Sequence, residues 1–479
     1  MLPHYSSFRT QTRLPVLLAG LAGAVLLGWL TANQGLLVPG LLVVGAVLLP
    51  LLIVLAREPR TGLVVLLGYC FLFFIVAREV GGSVPYGMGV DALLVLLWMI
   101  VIVNHERYEW ALLRNDLVAL SVLWFGINVL EIVNPGGSFQ GWYQEMRSTT
   151  LYWVLTVPLV LLLFNRRQDL DLFLVLIICL SVLGALNGLR QLYVGLTPGD
   201  QAFLAENSKT HLLWGKLRVF SFYSDAGQFG AAQAHVALVA GILALGPFRP
   251  WKRLALEAAA GLIIIGMFIS GTRGALFALM AGVAVALLVS KNIRAFAAGS
   301  VLAGLAFCFL KFTHIGDTNY NIYRMRTALD PNDASFNVRL HNQQLLRQYL
   351  ANKPFGGGVG TIGNSGIHYN AGKVLSSIPP DSYWVKVWAM YGIVGFTIWL
   401  GIMLYILGKC CGIAWGTRDP ALKVKLIALT AGVAGSLFCS YGNEVINFMP
   451  SAIIVYFSWA LVYLGPRLDT APGARLATS

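Results

Sequence analysis

Two arginines stand out because they lie beside membrane-length apolar segments in a chain of 479 residues, only 11% of which are charged. Arg273 lies in a short turn, SGTRGA at residues 270–275, and Arg218 precedes the apolar segment that begins near residue 227. A guanidinium group presents a planar fork of donors that matches phosphate oxygens. Ionisable residues near a membrane are functional candidates by default. We therefore predict that both arginines bind one anion such as a diphosphate. The alternatives are that Arg273 is a structural arginine that caps carbonyl groups or snorkels outward, and that Arg218 is a solvated loop cation.

Five further side chains are candidates for substrate binding: Arg147, Arg190, Arg339, His341 and Tyr383. Arg147 and Arg190 each precede or close an apolar segment, and either could instead pair with a neighbouring acid. For His341 three roles stay open: a base, a phosphate ligand or an ordinary surface histidine.

Asp381 is the candidate general base. It lies directly before the apolar segment that begins at residue 382. A carboxylate there could take a proton from an acceptor hydroxyl. It could also cap the helix, because Asp is a favoured N-cap and suits the positive end of the helix dipole. The two roles are compatible.

No metal or cofactor site is predicted. The seven histidines form no His-Glu-x-x-His motif and no zinc-type Cys/His spacing. The glycine-rich residues 356–360 lack the Gly-Lys-Ser/Thr ending of a phosphate-binding loop, so we interpret them as a flexible connector. The six cysteines indicate no disulfide framework.

The elements that position these residues are membrane helices. The chain is 57% hydrophobic, with a mean hydropathy of +0.71, which excludes a disordered chain, a disulfide-rich secreted module and a soluble enzyme. We predict an all-α polytopic membrane protein, a bundle of about 12–14 transmembrane helices with one large extracytoplasmic helical loop. The predicted spans are 14–30, 36–55, 62–77, 90–103, 117–133, 151–164, 170–189, 227–246, 254–270, 273–289, 295–312, 382–408, 425–441 and 447–464.

Lys and Arg in the short loops predict that both termini are cytoplasmic, and this topology is a better explanation of the net charge of +13 than nucleic-acid binding. The long segments 190–226 and 313–381 are then outside, the second with a helix that Pro354 stops. The predicted organisation is N-terminal transmembrane helices, helices with the arginine motifs, the outer loop, C-terminal helices and a tail, at residues 1–189, 190–312, 313–381, 382–464 and 465–479.

Four segments resemble, in order, motifs of the O-antigen ligase and polysaccharide polymerase superfamily: RVFSF at 218–222, SGTRGA at 270–275, the helix with Arg339 that ends in PFGGGVG at 354–360, and Asp381-Ser382 followed after nine residues by GIVG at 392–395. Each motif alone is weak, and the ordered set is more specific. The ligase motif begins with His where this chain has Asp381. A carboxylate can still act as a base, but the choice between ligase and polymerase stays open.

The resemblance implies a GT-C-like membrane glycosyltransferase that works without a metal ion, in the bacterial inner (cytoplasmic) membrane, with its active site facing the periplasm or exterior. The donor would be a glycan on undecaprenyl diphosphate, and the acceptor a glycan or a lipid-linked hydroxyl. Arg218 and Arg273 would hold the diphosphate. A transporter or flippase of an anion or lipid-linked glycan is the first alternative, and a protein O-oligosaccharyltransferase is the second.

Overall fold

The computed structural model describes residues 50–81, 86–291, 320–327, 334–380 and 382–470, together with scattered residues between 297 and 318. The chain divides into two compact units, residues 1–62 and 63–479. The candidate site lies in the second unit. Asp381, the predicted general base, lies outside the described residues.

The described part of the chain is almost entirely helical. Its longer helices, numbered α1 to α16, are Pro59–Val80, Met88–Val103, Asp116–Leu130, Phe139–Leu163, Arg167–Tyr193, Pro198–His211, Ala226–Ala244, Pro250–Ile269, Arg273–Ser290, Tyr320–Arg326, Ala334–Leu350, Gly363–Tyr369, Tyr383–Gly416, Pro420–Cys439, Ser451–Tyr463 and Gly465–Thr470. The two strands, β1 at Leu212–Leu213 and β2 at Lys216–Leu217, form one antiparallel hairpin.

The chain is an all-α polytopic membrane protein. Among the described residues, eight helices are long and apolar enough to cross a membrane, namely α1, α3, α4, α5, α7, α9, α13 and α14, and α2 and α15 are shorter apolar helices. The predicted spans from 62–77 to 273–289, and the last three, coincide with helices. The predicted span 14–30 lies outside the described residues, most of 36–55 lies outside them, and so does half of 295–312.

The interior of the bundle is built on small residues. Helix α7 is rich in Ala and Gly and is buried along almost its whole length. A Cβ atom added at Gly282 of α9 would lie 2.1 Å from the side chain of Leu238 of α7. Small residues let membrane helices approach closely enough for their backbones to pack. This close packing fixes α7 and α9, the two helices that begin beside the candidate site.

Of two helices near the site, one begins earlier than predicted and the other agrees with the prediction. Helix α4 begins at Phe139, well before the predicted span at 151–164, and contains a π-helical turn at Arg147–Leu151. The predicted outer helix is α11, and its observed end at Leu350, four residues before Pro354, agrees with the prediction.

The interpretation of residues 356–360 as a flexible connector is wrong. The N–H groups of Gly357 and Gly358 donate to the carbonyl oxygens of Ala389 and Met390 at 2.9 and 3.0 Å. Helix α13 is broken at this point by Gly392, which has φ +67°. A Cβ at Gly392 would lie 2.1 Å from the carbonyl oxygen of Pro354. The glycines therefore serve close backbone packing, which hydropathy does not reveal.

Candidate active site

One cavity of about 1460 Å³ opens between the helix ends that carry the predicted motifs. It is lined by residues from α4, the segment 209–227, the start of α9, helices α10 and α11, the segment 363–380, the start of α13 and the segment 438–448. Among the described residues, its charged lining consists of Lys209, Arg218, Arg273, Arg324, Arg339, Lys386, Glu145, Asp225 and Glu444. The excess of cationic groups makes the cavity suitable for an anion.

The turn between α8 and α9 carries Arg273. Gly271 has φ +60°, a conformation that glycine adopts without steric cost, and it reverses the chain between the two helices. The hydroxyl of Thr272 donates to the carbonyl oxygen of Ala226 at 2.7 Å, and its N–H donates to the Ser270 hydroxyl at 3.2 Å. These bonds tie the turn to the start of α7. Arg273 is consequently the first residue of α9 and lines the cavity.

Arg218 reaches the same turn from the hairpin strand β2. Its guanidinium donates to the carbonyl oxygens of Thr210 at 2.9 Å and Ser270 at 3.3 Å, and to the Thr272 hydroxyl at 3.3 Å. All three acceptors are uncharged. The side chain is thus oriented by several hydrogen bonds while its positive charge stays available to an anion.

The electrostatic surroundings of Arg218 place other cations close to it. Its pKa lies below the ordinary value of 12.5, chiefly because burial disfavours the charged form. Asp225 and Tyr320 oppose this effect, and the charges of Arg273 and Arg339 add to it. An anion in the cavity would relieve the mutual repulsion of these guanidinium groups.

A third arginine of this group, Arg324, was missed by the sequence analysis. It is buried, lines the cavity and donates to the carbonyl oxygen of Gly271 at 3.4 Å. Arg273 donates to the carbonyl oxygen and the hydroxyl of Thr327, three residues further along, at 3.3 and 3.5 Å. Helix α10 and the residue after it therefore pack against the turn. In the sequence, the only sign that Arg324 belongs to the site was the unusual number of arginines near this position.

A buried ion cluster forms another part of the cavity lining. The Nζ atom of Lys386 lies 2.8 Å from Glu145 Oε1 and 2.9 Å from Glu444 Oε2. The Ser365 hydroxyl donates to Glu145 Oε2 at 2.8 Å. The cluster joins α4, α12, α13 and the segment after α14. A lone lysine in the predicted span 382–408 was the available signal, because a charge inside a membrane segment needs a partner.

Residues 258–400 of the chain match the family model described as O-antigen ligase. Over these residues, called the ligase domain, the chain is similar to the O-antigen ligase family. The resemblance inferred from the motifs is thereby confirmed, and the match supports a membrane glycosyltransferase of the O-antigen ligase or polymerase type that acts on lipid-linked glycans. No curated protein matches the sequence. The ligase domain contains Arg273, Arg324, Arg339 and Lys386, whereas Arg218 lies before it.

Two of the predicted substrate-binding arginines lie away from the cavity lining. Arg190, before the ligase domain, donates to Asp200 Oδ2 at 2.7 Å and to Asn187 Oδ1 at 2.9 Å. Arg147 is paired with Asp91, not with its near neighbour Glu145. In both cases the structure shows the alternative considered for these arginines, an ion pair with an acidic residue. Neither is among the residues that line the cavity.

The other predicted residues are divided between the cavity and its surroundings. Arg339 of α11 lines the cavity, but His341 is exposed and is not part of the described lining. Tyr383 is also outside that lining: it is buried, with its ring 5.6 Å from that of Trp399. The N-cap of α13 is Ser382, whose hydroxyl accepts from Val385 N–H at 3.3 Å, so the capping role considered for Asp381 belongs to the next residue.

His211, at the end of α6, is a buried histidine of the cavity lining that the sequence analysis did not select. Its Nε2 accepts from the N–H of Ala226 at 3.2 Å, which requires a neutral ring. Burial lowers its pKa below 6.5, and Arg218 and Arg78 act in the same direction, while Asp225 opposes them. We therefore interpret His211 as a neutral group that joins the hairpin to the start of α7.

Proposed function

We propose that the cavity transfers a glycan from undecaprenyl diphosphate to an acceptor hydroxyl, at the outer face of the cytoplasmic membrane and with inversion at the anomeric carbon. The observation that carries the proposal is the convergence of Arg218, Arg273 and Arg324 on one turn beside a cavity that also receives Arg339. The ligase family match agrees with this substrate class.

In the proposed reaction the acceptor oxygen forms a bond to the anomeric carbon as the bond from that carbon to the phosphate oxygen breaks. The electron pair of the broken bond stays on the diphosphate, and the guanidinium groups stabilise the charge that develops there. Because they supply the positive charge, the proposed transfer needs no metal ion. Free undecaprenyl diphosphate and the lengthened or ligated glycan are the products.

The acceptor proton goes to a carboxylate, and Asp381 is our proposal for this base. Its neighbour Pro380 lines the cavity, and its other neighbour, Ser382, caps α13. Asp381→Asn should abolish the base while leaving the Ser382 cap in place. Full transfer activity in that variant would remove Asp381 from the mechanism.

The decisive experiment is transfer by purified Arg273→Ala protein, followed by the gel mobility of the glycan product. Loss of one donor aimed at leaving-group charge should lower turnover about a hundredfold or more. Arg249→Ala is the matched control, because Arg249 is exposed and lies at the opposite end of α8 from the turn. Equal activity of the two variants would refute the site.

The same preparations separate the alternatives. A flippase would move lipid-linked glycan across sealed vesicles without joining it to an acceptor. A protein O-oligosaccharyltransferase would prefer a Ser- or Thr-containing peptide over a glycan or lipid acceptor. Flux without transfer, or transfer to the peptide alone, would replace the present proposal by the corresponding one.

A further inference from the structure

The tip of the hairpin before Arg218 holds a tryptophan in an unfavourable backbone conformation. Trp214 has φ +50° and Gly215 has φ +73°, so both residues of the turn between β1 and β2 are left-handed. Two-residue hairpins favour this turn, but its central residues are usually Asn, Asp or Gly. A bulky residue with positive φ is an outlier and points to a role for its side chain.

The indole of Trp214 is 63% exposed, and it lines the cavity. It is held mainly through contacts with aromatic edges. The ring of Tyr320 lies at 6.0 Å and 72°, and that of Tyr323 at 5.7 Å and 66°. Contacts of this kind orient an aromatic ring, and most of the surface of Trp214 stays exposed.

The same indole is adjacent to the arginine cluster. The guanidinium carbon of Arg324 lies 5.6 Å from the centre of the Trp214 ring. Arg324 also donates to Gly271, in the turn that carries Arg273. In a glycosyl diphosphate, the first sugar is bonded directly to a phosphate oxygen. Trp214 contacts this arginine cluster and lines the cavity, so it lies where that sugar is expected.

We infer that Trp214, oriented by Tyr320 and Tyr323, is a sugar-binding platform for the pyranose attached to the donor diphosphate. This inference rests on the proposed function. A pyranose ring presents a face of C–H groups that packs against an aromatic ring, and the amphipathic indole suits a ligand that is both hydrated and ring-shaped. Trp214 thereby selects glycosylated over bare lipid diphosphate.

The test compares two probes, undecaprenyl diphosphate and undecaprenyl diphosphate carrying one N-acetylglucosamine, bound to the purified full-length protein. Trp214→Ala should weaken the glycosylated probe roughly tenfold, the scale of one aromatic contact, and leave the bare probe unchanged. Trp214→Phe should restore most of the affinity. Trp251→Ala is the matched control, because Trp251 is 64% exposed, has Lys252 over its ring and lies outside the described cavity lining.

Each other outcome overturns the inference in its own way. Equal weakening of both probes would make Trp214 a support for the arginines. No weakening would make it a membrane-interface aromatic, a common role of exposed tryptophan in membrane proteins. If the unmodified protein binds neither probe, the proposed function fails, and the sugar platform fails with it.

Discussion

Arg190, near the end of α5, and Arg218, in the segment before α7, are hydrogen-bonded to different kinds of partner. Arg190 is bonded to the carboxylate of Asp200, whereas Arg218 is bonded to two carbonyl oxygens and one hydroxyl. An arginine that already has a carboxylate must give up that ion pair to bind an anion. One held by uncharged oxygens keeps its orientation and can accept the anion directly. The contrast distinguishes Arg190, which has a structural role, from Arg218, which we propose binds the substrate.

Asp200 is the centre of the structural cluster. Its side chain is fully buried, and besides Arg190 it lies near Arg78, with Arg78 Nε 3.6 Å from Oδ1. Arg78 also donates to the carbonyl oxygen of Tyr223 at 2.7 Å. The cluster therefore holds α6, α1 and the segment before α7 together, and through them the hairpin that carries Arg218.

Asp200→Asn is expected to have the largest effect, on stability. Removing one partner of a buried ion pair typically costs about 3–5 kcal/mol, because the remaining charge is buried without compensation. The measurement is the thermal unfolding midpoint in detergent. Asp171→Asn is the control, since Asp171 pairs with Lys425 but is 52% exposed, and its loss should cost about 1 kcal/mol or less. Similar losses in both variants would contradict the assigned role of the cluster.

The second-largest effect is expected for Arg218→Gln, and it is an effect on turnover. The variant loses charge at the leaving group, and transfer should fall about a hundredfold. Arg218→Lys should also be slow, because an ammonium group cannot reproduce the three directed bonds. Arg190→Gln should lower the unfolding midpoint and leave turnover per folded molecule nearly unchanged. A comparable fall in turnover for Arg190→Gln would end the distinction between the two arginines.

The smallest expected effect is on pH dependence, through His211. Its pKa is lowered in the folded protein, so the unfolded chain binds the proton more readily. Stability should therefore decrease as the pH falls below about 6.5 toward the folded-state value. The unfolding midpoint of His211→Gln should decline less between neutral and mildly acidic pH. Parallel curves for the two proteins would show that another group is responsible.

The membrane helices and the order of the motifs were predictable from the sequence. Hydropathy located the membrane helices, helical spacing located α11, and motif order placed Arg218 and Arg273 at one site before any contact was known. The helices depend on neighbours within a few turns, and the common site of Arg218 and Arg273 was inferred from the order of the family motifs.

The missed features depend on long-range contacts. Lys386 pairs with Glu145, which is far away in the sequence. Arg147 pairs with Asp91, although Glu145 is much nearer to it in the sequence. No periodicity encodes which of several acids a cation will meet. Arg324 was overlooked for a related reason: its position beside Gly271 arises only when α10 packs on the turn.

The three oxygen atoms that orient Arg218 neither gain nor lose a proton between mild acid and mild alkali. If Arg218 binds a lipid diphosphate, as we propose, acidification of the medium therefore leaves the three acceptors that orient its guanidinium unchanged.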